Sequence, residues 1–203
     1  MADRYIAVAG NIGVGKSSLV TYLCERYGFR PVYEPYAENP YLADFYGDMR
    51  RWAFHSQMWF LSHKYRVHSE LARAGGTLVQ DRTIYEDAEI FATYLHQSRR
   101  MVRRDFETYQ ELYRAMCQNL PPPDLLIHLS CSVRAIRRRI RRRGRSYEQT
   151  IKAAYLRKLN GLYDAWMDRW TASPVLTWDT ENMDYLEDLV HRIEFHRAVE
   201  RFL

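Results

Sequence analysis

Polar and apolar positions in this chain follow two periods that alternate along its length. Five short, nearly continuous apolar runs read as buried strands: Arg4–Ala9, Pro31–Pro35 (ending at a proline), Thr77–Asp81, Leu125–Leu129 and Val175–Asp179. Helical text separates them. Ser17–Tyr27 is closed by Gly28. Tyr41–Ala74 carries Phe54, Met58, Leu61, Tyr65 and His68 at three-to-four-residue spacing and stops at Gly75-Gly76. Ile84–Asn119 reads as two or three helical pieces, Arg134–Arg143 as one helix broken at Gly144, and Tyr147–Thr171 and Met183–Phe202 as two more. Pro121-Pro122-Pro123 is a stiff connector and not a boundary, since the fourth strand follows at once. Strands buried along their whole length and alternating with helices predict an α/β fold. Its parallel sheet is covered by helices on both faces.

Composition narrows the class. The 203 residues, 47% hydrophobic, suffice for one packed domain spanning 1–203 and exclude intrinsic disorder. No uncharged apolar run approaches the ~20 residues of a membrane helix, so no membrane partner is expected. No basic segment followed by a long apolar one opens the chain, so no secretory leader is expected. Cys24, Cys117 and Cys131 are odd in number and far apart, which predicts reduced core thiols in a cytoplasmic protein. The net charge of +5 is local: eight arginines and no acid fall between Arg134 and Arg145, and the remaining 22 basic residues face 25 acidic ones. Such a cluster suits a small polyanion better than a long phosphate backbone.

One motif carries chemistry directly. Gly10-Asn11-Ile12-Gly13-Val14-Gly15-Lys16-Ser17 matches G-x-x-x-x-G-K-[ST] and lies between a strand and a helix, the context the motif requires. Glycines let the loop curl so that backbone N–H groups point at phosphate oxygens, and the helix N-terminus adds positive potential. Lys16 would reach the outer phosphates, Ser17 would bind Mg²⁺, and Ser18 would complete the ATP site. Lysine is rare here, four against 26 arginines, which gives Lys16 added weight. The expected fold is thus a five-stranded sheet of the P-loop NTPase type with an arginine-rich lid at about 137–148.

The acceptor is less legible. Glu34 and Asp81 stand at strand carboxyl ends, where ligands bind in open parallel sheets, and Arg82 follows Asp81 directly. One acid would hold Mg²⁺ and the other take the proton of an attacking hydroxyl, with the assignment open. A carboxylate at the reacting oxygen repels a monophosphate and suits a neutral alcohol. Arg139, Arg141, Arg143 and Arg145, at alternate positions around a helix end, would fold over the triphosphate and neutralise charge developing on the transferred group.

Taken in order, the cradle, Tyr33-Glu34-Pro35, Asn39-Pro40-Tyr41, Phe45-Tyr46, Trp52-Ala53-Phe54, Ser56-Gln57, Asp81-Arg82-Thr83 and Arg143-Gly144-Arg145-Ser146-Tyr147-Glu148 resemble the deoxyribonucleoside kinase family, most closely its bacterial deoxyadenosine and deoxyguanosine kinases. The resemblance runs from Tyr5 to about Leu189. It implies ATP-dependent phosphorylation of the 5′-hydroxyl of a purine deoxyribonucleoside, with Mg²⁺. Glu34 would contact that hydroxyl as candidate base, Arg82 would position both, and Asp81 would lie near the metal. Tyr46 and Glu148 would bind the sugar 3′-hydroxyl, with Arg145 beside them. Gln57 and Asp87 would read the base edge, Phe91 would stack on the base, and the loop Asp179–Asp184 would lie beside the donor's adenine. The family also implies a homodimer through the long helix around residues 52–74, where Trp52 and Trp59 fit either packing or an interface. The chain departs from the pattern in two places: Thr83 stands where serine is common, and Lys64 where some relatives have a base-reading arginine. Asp87 argues against thymidine-type relatives. The rival readings are a nucleoside monophosphate kinase such as a thymidylate kinase and, in another class, a nucleic-acid-binding ATPase. Repulsion between Glu34 and a monophosphate counts against the first, and the acidic balance outside the arginine run against the second.

Overall fold

A computed structural model describes residues 4–71, 75–182 and 187–203. Five strands, β1 (Tyr5–Gly10), β2 (Arg30–Val32), β3 (Leu78–Asp81), β4 (Leu125–Ser130) and β5 (Val175–Asp179), form one wholly parallel sheet in the order β2-β3-β1-β4-β5. Side chains of a strand alternate between faces, and each face here has its own core. Ile6, Val8, Leu125, Ile127 and Leu129 pack with Leu19, Val20 and Leu23 of α1 (Lys16–Tyr27) and with Phe195 and Val199 of α9 (Leu189–Glu200). Ala7, Ala9 and Leu126 face the other way, sharing a core with Leu156, Leu159, Tyr163 and Trp166 of α8 (Ala153–Met167). The two alanines leave room for those large rings.

The other helices are α2 (Leu42–Gly47), α3 (Met49–Leu71), α4 (Ile84–Glu86), α5 (Thr93–Gln97), α6 (Arg103–Cys117) and α7 (Val133–Arg143). A π-helical turn, Asp87–Ala92, joins α4 to α5. The sequence predicts one helix over Tyr41–Ala74. The structure breaks it at Asp48, which has φ −139° and whose carboxylate accepts from the N–H groups of Arg50 and Arg51. An acid that can cap a new helix start competes with continuation of the old one. The helix expected from Tyr147 begins only at Ala153, because Ser146–Glu148 is a single 3₁₀ turn. β2 is shorter than expected, leaving Tyr33–Pro35 beyond the ladder. The last helix starts at Leu189, capped by Asp188; the part expected over Met183–Leu186 lies outside the described residues, as does the end of the run at 72–74. The three cysteines are free and half-buried rather than core.

β1 is central, with β3 on one side and β4 on the other, so the chain's direction of winding reverses there. That switch point opens a crevice at the carboxyl ends of the strands, where Gly10 and Asp81 emerge.

Behind it, His128 of β4 is buried and stacked on Tyr163 at 5.8 Å. Burial lowers its pKa to about 4, Asp164 offsetting part of the shift. The folded state therefore holds this imidazole neutral while the unfolded chain protonates it below about 6.5. Stability should fall as pH drops from about 6.5 towards 4, by on the order of 3 kcal/mol from this group. Urea titrations across that window should show a flatter pH dependence for His128→Asn than for the unmutated chain.

Candidate active site

The loop after β1 is forced by contact. At Gly10, with φ 144°, a Cβ would lie 2.5 Å from the Leu129 carbonyl oxygen; at Gly13, φ 76°, it would lie 2.9 Å from Cγ1 of Ile140. The second clash shows that the arginine helix α7 rests on the loop. The Lys16 ammonium folds back to donate to the carbonyls of Gly10 (2.9 Å) and Asn11 (3.1 Å). Burial lowers the Lys16 pKa to about 8, Arg82 adding to it and Asp81, Glu86 and Glu34 opposing it. The Asn11 amide donates to Leu156 O and Asn160 Oδ1, tying the loop to α8. Ser17 donates to Asp81 Oδ2, leaving Asp81 Oδ1 buried without a partner.

Beyond the loop lies a chain of largely buried charge. β3 ends at Asp81. Arg82 then adopts φ 64°, a left-handed conformation that costs a non-glycine residue energy and turns the chain into α4. The start of α4 is fixed by a capping box between Thr83 and Glu86. Threonine supplies the same capping oxygen that serine would. Arg82 Nε lies 3.0 Å from Glu34 Oε1 as an ion pair rather than an aligned hydrogen bond. Lys64, buried in α3, reaches Asp87 Oδ1 at 2.8 Å and Glu34 Oε1 at 3.3 Å. For Glu34, burial opposes ionisation, but Arg82, Lys64 and Lys16 together outweigh it and hold the pKa at about 2. For Asp81, burial wins over Lys16, and Glu34 reinforces it, so this carboxyl is raised. Asp87 is likewise pushed up to about 6 by burial against the pull of Lys64.

These groups line one cavity of about 650 Å³, which runs from the loop to α3. Ile12, Gly13, Val14, Gly15, Lys16, Ser17 and Ser18 form its phosphate-loop wall. Glu34, Tyr46, Gln57, Asp81, Arg82, Asp87, Phe91, Arg139, Arg143, Arg145 and Glu148, all singled out in the sequence, complete it with others. Gln57 Oε1 and Asp87 Oδ2 are buried and unpartnered. Tyr46 stacks on Tyr147 at 5.6 Å, and Phe91 carries the Arg82 guanidinium 4.4 Å from its ring centre. Arg143 and Arg145 both pair with the buried Glu148, and Arg145 lies 3.7 Å over the Tyr36 ring.

The structure places three residues elsewhere. Gly10 and Asn11 sit behind the wall and give Lys16 its carbonyl partners. Arg141 is exposed and outside the cavity, whereas Arg142 reaches it. The helix runs unbroken to Arg143, so positions three and four apart share its inner face and alternate positions do not. Arg139 is spent on structure, donating to Val14 O, Thr180 Oγ1 and Thr180 O, which clamps α7 and the chain after β5 to the loop. Of the loop Asp179–Asp184, Thr180 lines the cavity, while Met183 and Asp184 lie outside the described residues. Arg142, Phe60 and Glu86 carry no distinguishing mark of function in the sequence, and the contact of Lys64 with Glu34 is signalled only by a lysine on the apolar stripe of α3, beside Leu61 and His68.

A phosphate-binding loop facing an ionised carboxylate, with arginines closing the roof, defines a phosphotransferase whose acceptor is neutral. A model of the family described as deoxynucleoside kinase matches residues 6–203, and the chain belongs to that family. It is 40% identical over 188 residues (92% of this chain, 87% of the relative) to a deoxyadenosine/deoxycytidine kinase of Bacillus subtilis. It is 31% identical over 198 residues to a deoxyguanosine kinase of the same organism, covering 95% of this chain and 93% of that one. A solved structure of M. mycoides deoxyadenosine kinase with bound dATP superposes with a TM-score of 0.84 at 26% identity, covering 98% of this chain and 99% of that one. The chain is therefore an enzyme that phosphorylates deoxyribonucleosides, and the monophosphate kinase reading is not favoured.

The lid geometry separates two neighbouring arginines. Arg143→Ala should lower kcat at least tenfold by releasing Glu148, whereas Arg141→Ala should stay within about twofold, as steady-state kinetics on a deoxynucleoside will show.

Proposed function

We propose that the enzyme transfers the γ-phosphate of ATP, with Mg²⁺, to the 5′-hydroxyl of a purine deoxyribonucleoside, deoxyadenosine or deoxyguanosine, releasing the 5′-monophosphate. The observation that carries the base assignment is the pair of buried, unpartnered acceptors Gln57 Oε1 and Asp87 Oδ2 on the cavity wall. Buried acceptors without partners are costly, so the ligand supplies N–H donors. Adenine offers its exocyclic amino group, and guanine its ring N–H and amino group. Cytosine also carries an amino group beside a ring acceptor. It is the second reading, favoured by the same two atoms and by the Bacillus relative named for both deoxyadenosine and deoxycytidine. Thymine has a single N–H and fits poorly.

Ser17 and Asp81 fit Mg²⁺. Both offer hard oxygen ligands, the Oδ1 of Asp81 has no protein partner, and this ion is held by one or two protein oxygens together with phosphate. When bound, it neutralises charge on the phosphates. Lys16 exchanges its two carbonyl partners for phosphate oxygens, and Arg142 and Arg143 approach the transferred group from the roof. Glu34, ionised throughout the neutral range, accepts a hydrogen bond from the sugar hydroxyl and is the candidate proton acceptor, with Arg82 setting its orientation. Exclusion of water by the lid protects ATP from hydrolysis. The reading includes action in the cytoplasm as a homodimer formed through α3, where Trp52 and Trp59 are half-buried, and no nucleic-acid partner.

A nucleoside panel with Mg·ATP should yield 5′-monophosphate from a purine deoxynucleoside and none from thymidine. Turnover of thymidine alone would end the base assignment. Lys16→Ala should abolish transfer with the fold intact by circular dichroism. Glu34→Gln should keep nucleoside affinity and lose most turnover; full turnover in that variant would move the proton-acceptor role to Asp81. Light scattering on the purified chain reads the oligomeric state.

A further inference from the structure

Glu86 is fully buried in α4, and no step above uses it. Three donors converge on its carboxylate. Oε1 accepts from the Gly10 N–H at 3.1 Å and from the Tyr163 hydroxyl at 2.7 Å, and Oε2 accepts from the Thr83 N–H at 3.0 Å. The Tyr163 oxygen, its proton committed to Glu86, accepts in turn from Arg82 Nη1 at 3.3 Å. Arg82 pairs with Glu34, and the carbonyl of Gly10 holds Lys16. A continuous buried path thus joins the lysine of the donor loop to the carboxylate at the acceptor hydroxyl, through Gly10, Glu86, Tyr163 and Arg82.

We propose that Glu86 and Tyr163 are positioning residues that couple the phosphate loop to Arg82, so that the donor and acceptor sites are held in register for in-line transfer. Stoichiometry carries the argument. Two backbone N–H groups and one hydroxyl need acceptors at this point, and only a group with two accepting oxygens serves all three. A capping box alone would have needed Glu86 only at the N-cap N–H of Thr83; the bonds to Gly10 and Tyr163 are additional and lead away from the helix. The directed proton of Tyr163 matters too. With that proton on Glu86, the lone pairs of the hydroxyl face Arg82, which keeps the guanidinium on the cavity side over Phe91. Misplacement of a reacting group by about 1 Å costs on the order of a hundredfold in rate. A tether between the two sites therefore has a measurable effect even though it touches neither substrate.

The inference rests on the reading of Arg82 as the group that positions the acceptor hydroxyl. Tyr163→Phe removes one hydroxyl and keeps the ring stacked on His128 and packed against Trp166. It should lower kcat about tenfold with the KM for ATP unchanged within twofold, and should reduce the enhancement of nucleoside binding by a non-hydrolysable ATP analogue measured by calorimetry. Glu86→Gln, isosteric but with an amide N–H₂ facing an N–H donor, should raise the KM for ATP as well. The double variant should be no worse in kcat than Glu86→Gln alone, because one path is cut once. Unchanged kcat and unchanged binding enhancement in Tyr163→Phe would overturn the coupling. Should Glu86→Gln fail to fold, the Tyr163→Phe outcome still decides. Arg82→Lys, run in parallel, separates the two claims: unchanged kcat there removes the reading of Arg82, while loss there with no effect of Tyr163→Phe removes only the coupling.

Discussion

Burial of opposite charges side by side at the carboxyl edge of the sheet is the constraint on which the rest depends. Asp81, Glu86 and Asp87 are buried, and Glu34 half-buried, among Lys16, Lys64 and Arg82. Each would be costly alone in such surroundings; together they neutralise one another and become rigid. The result is uneven by design of position: Glu34, touched by cations from both sides, is held ionised, while Asp81 and Asp87 are raised by burial. The cavity thus presents one firmly ionised carboxylate beside two whose ionisation is opposed by burial.

That charge cluster needs a scaffold that does not yield, and the sheet supplies it. The parallel strands place Gly10 and Asp81 at neighbouring ladder ends, so backbone hydrogen bonds bring the loop and the Asp-Arg turn together, and side chains such as Glu86, Asn11 and Arg139 then fix the loop in place. The left-handed φ of Arg82 is sustained by its N–H bond to Val8 O and by the capping box behind it. Strain of this kind persists only where surroundings over-determine it.

The roof is held differently. α7 meets the loop through Ile140 against Gly13 and through the Arg139 clamp, while Arg142, Arg143 and Arg145 extend from it over the cavity. One arginine anchors the helix and its neighbours are left lining the cavity. Mutual repulsion among so many cations is relieved by Glu148 and by Glu181 beside Arg134.

Much of this was legible in the chain. The five strands, the phosphate loop and the acids at strand ends follow from local rules: apolar runs, glycine spacing and strand–turn–helix context act over a few residues and leave their mark in the order of residues. The pairing of Lys64 with both Glu34 and Asp87, the exclusion of Arg141 from the cavity, the break at Asp48 and the convergence on Glu86 were decided only in three dimensions. Lys64 and Glu34 are thirty residues apart and Gly10 and Glu86 seventy-six; whether such groups meet depends on how strands are ordered in the sheet and how a helix is rotated on its axis, and no short stretch of residues encodes either.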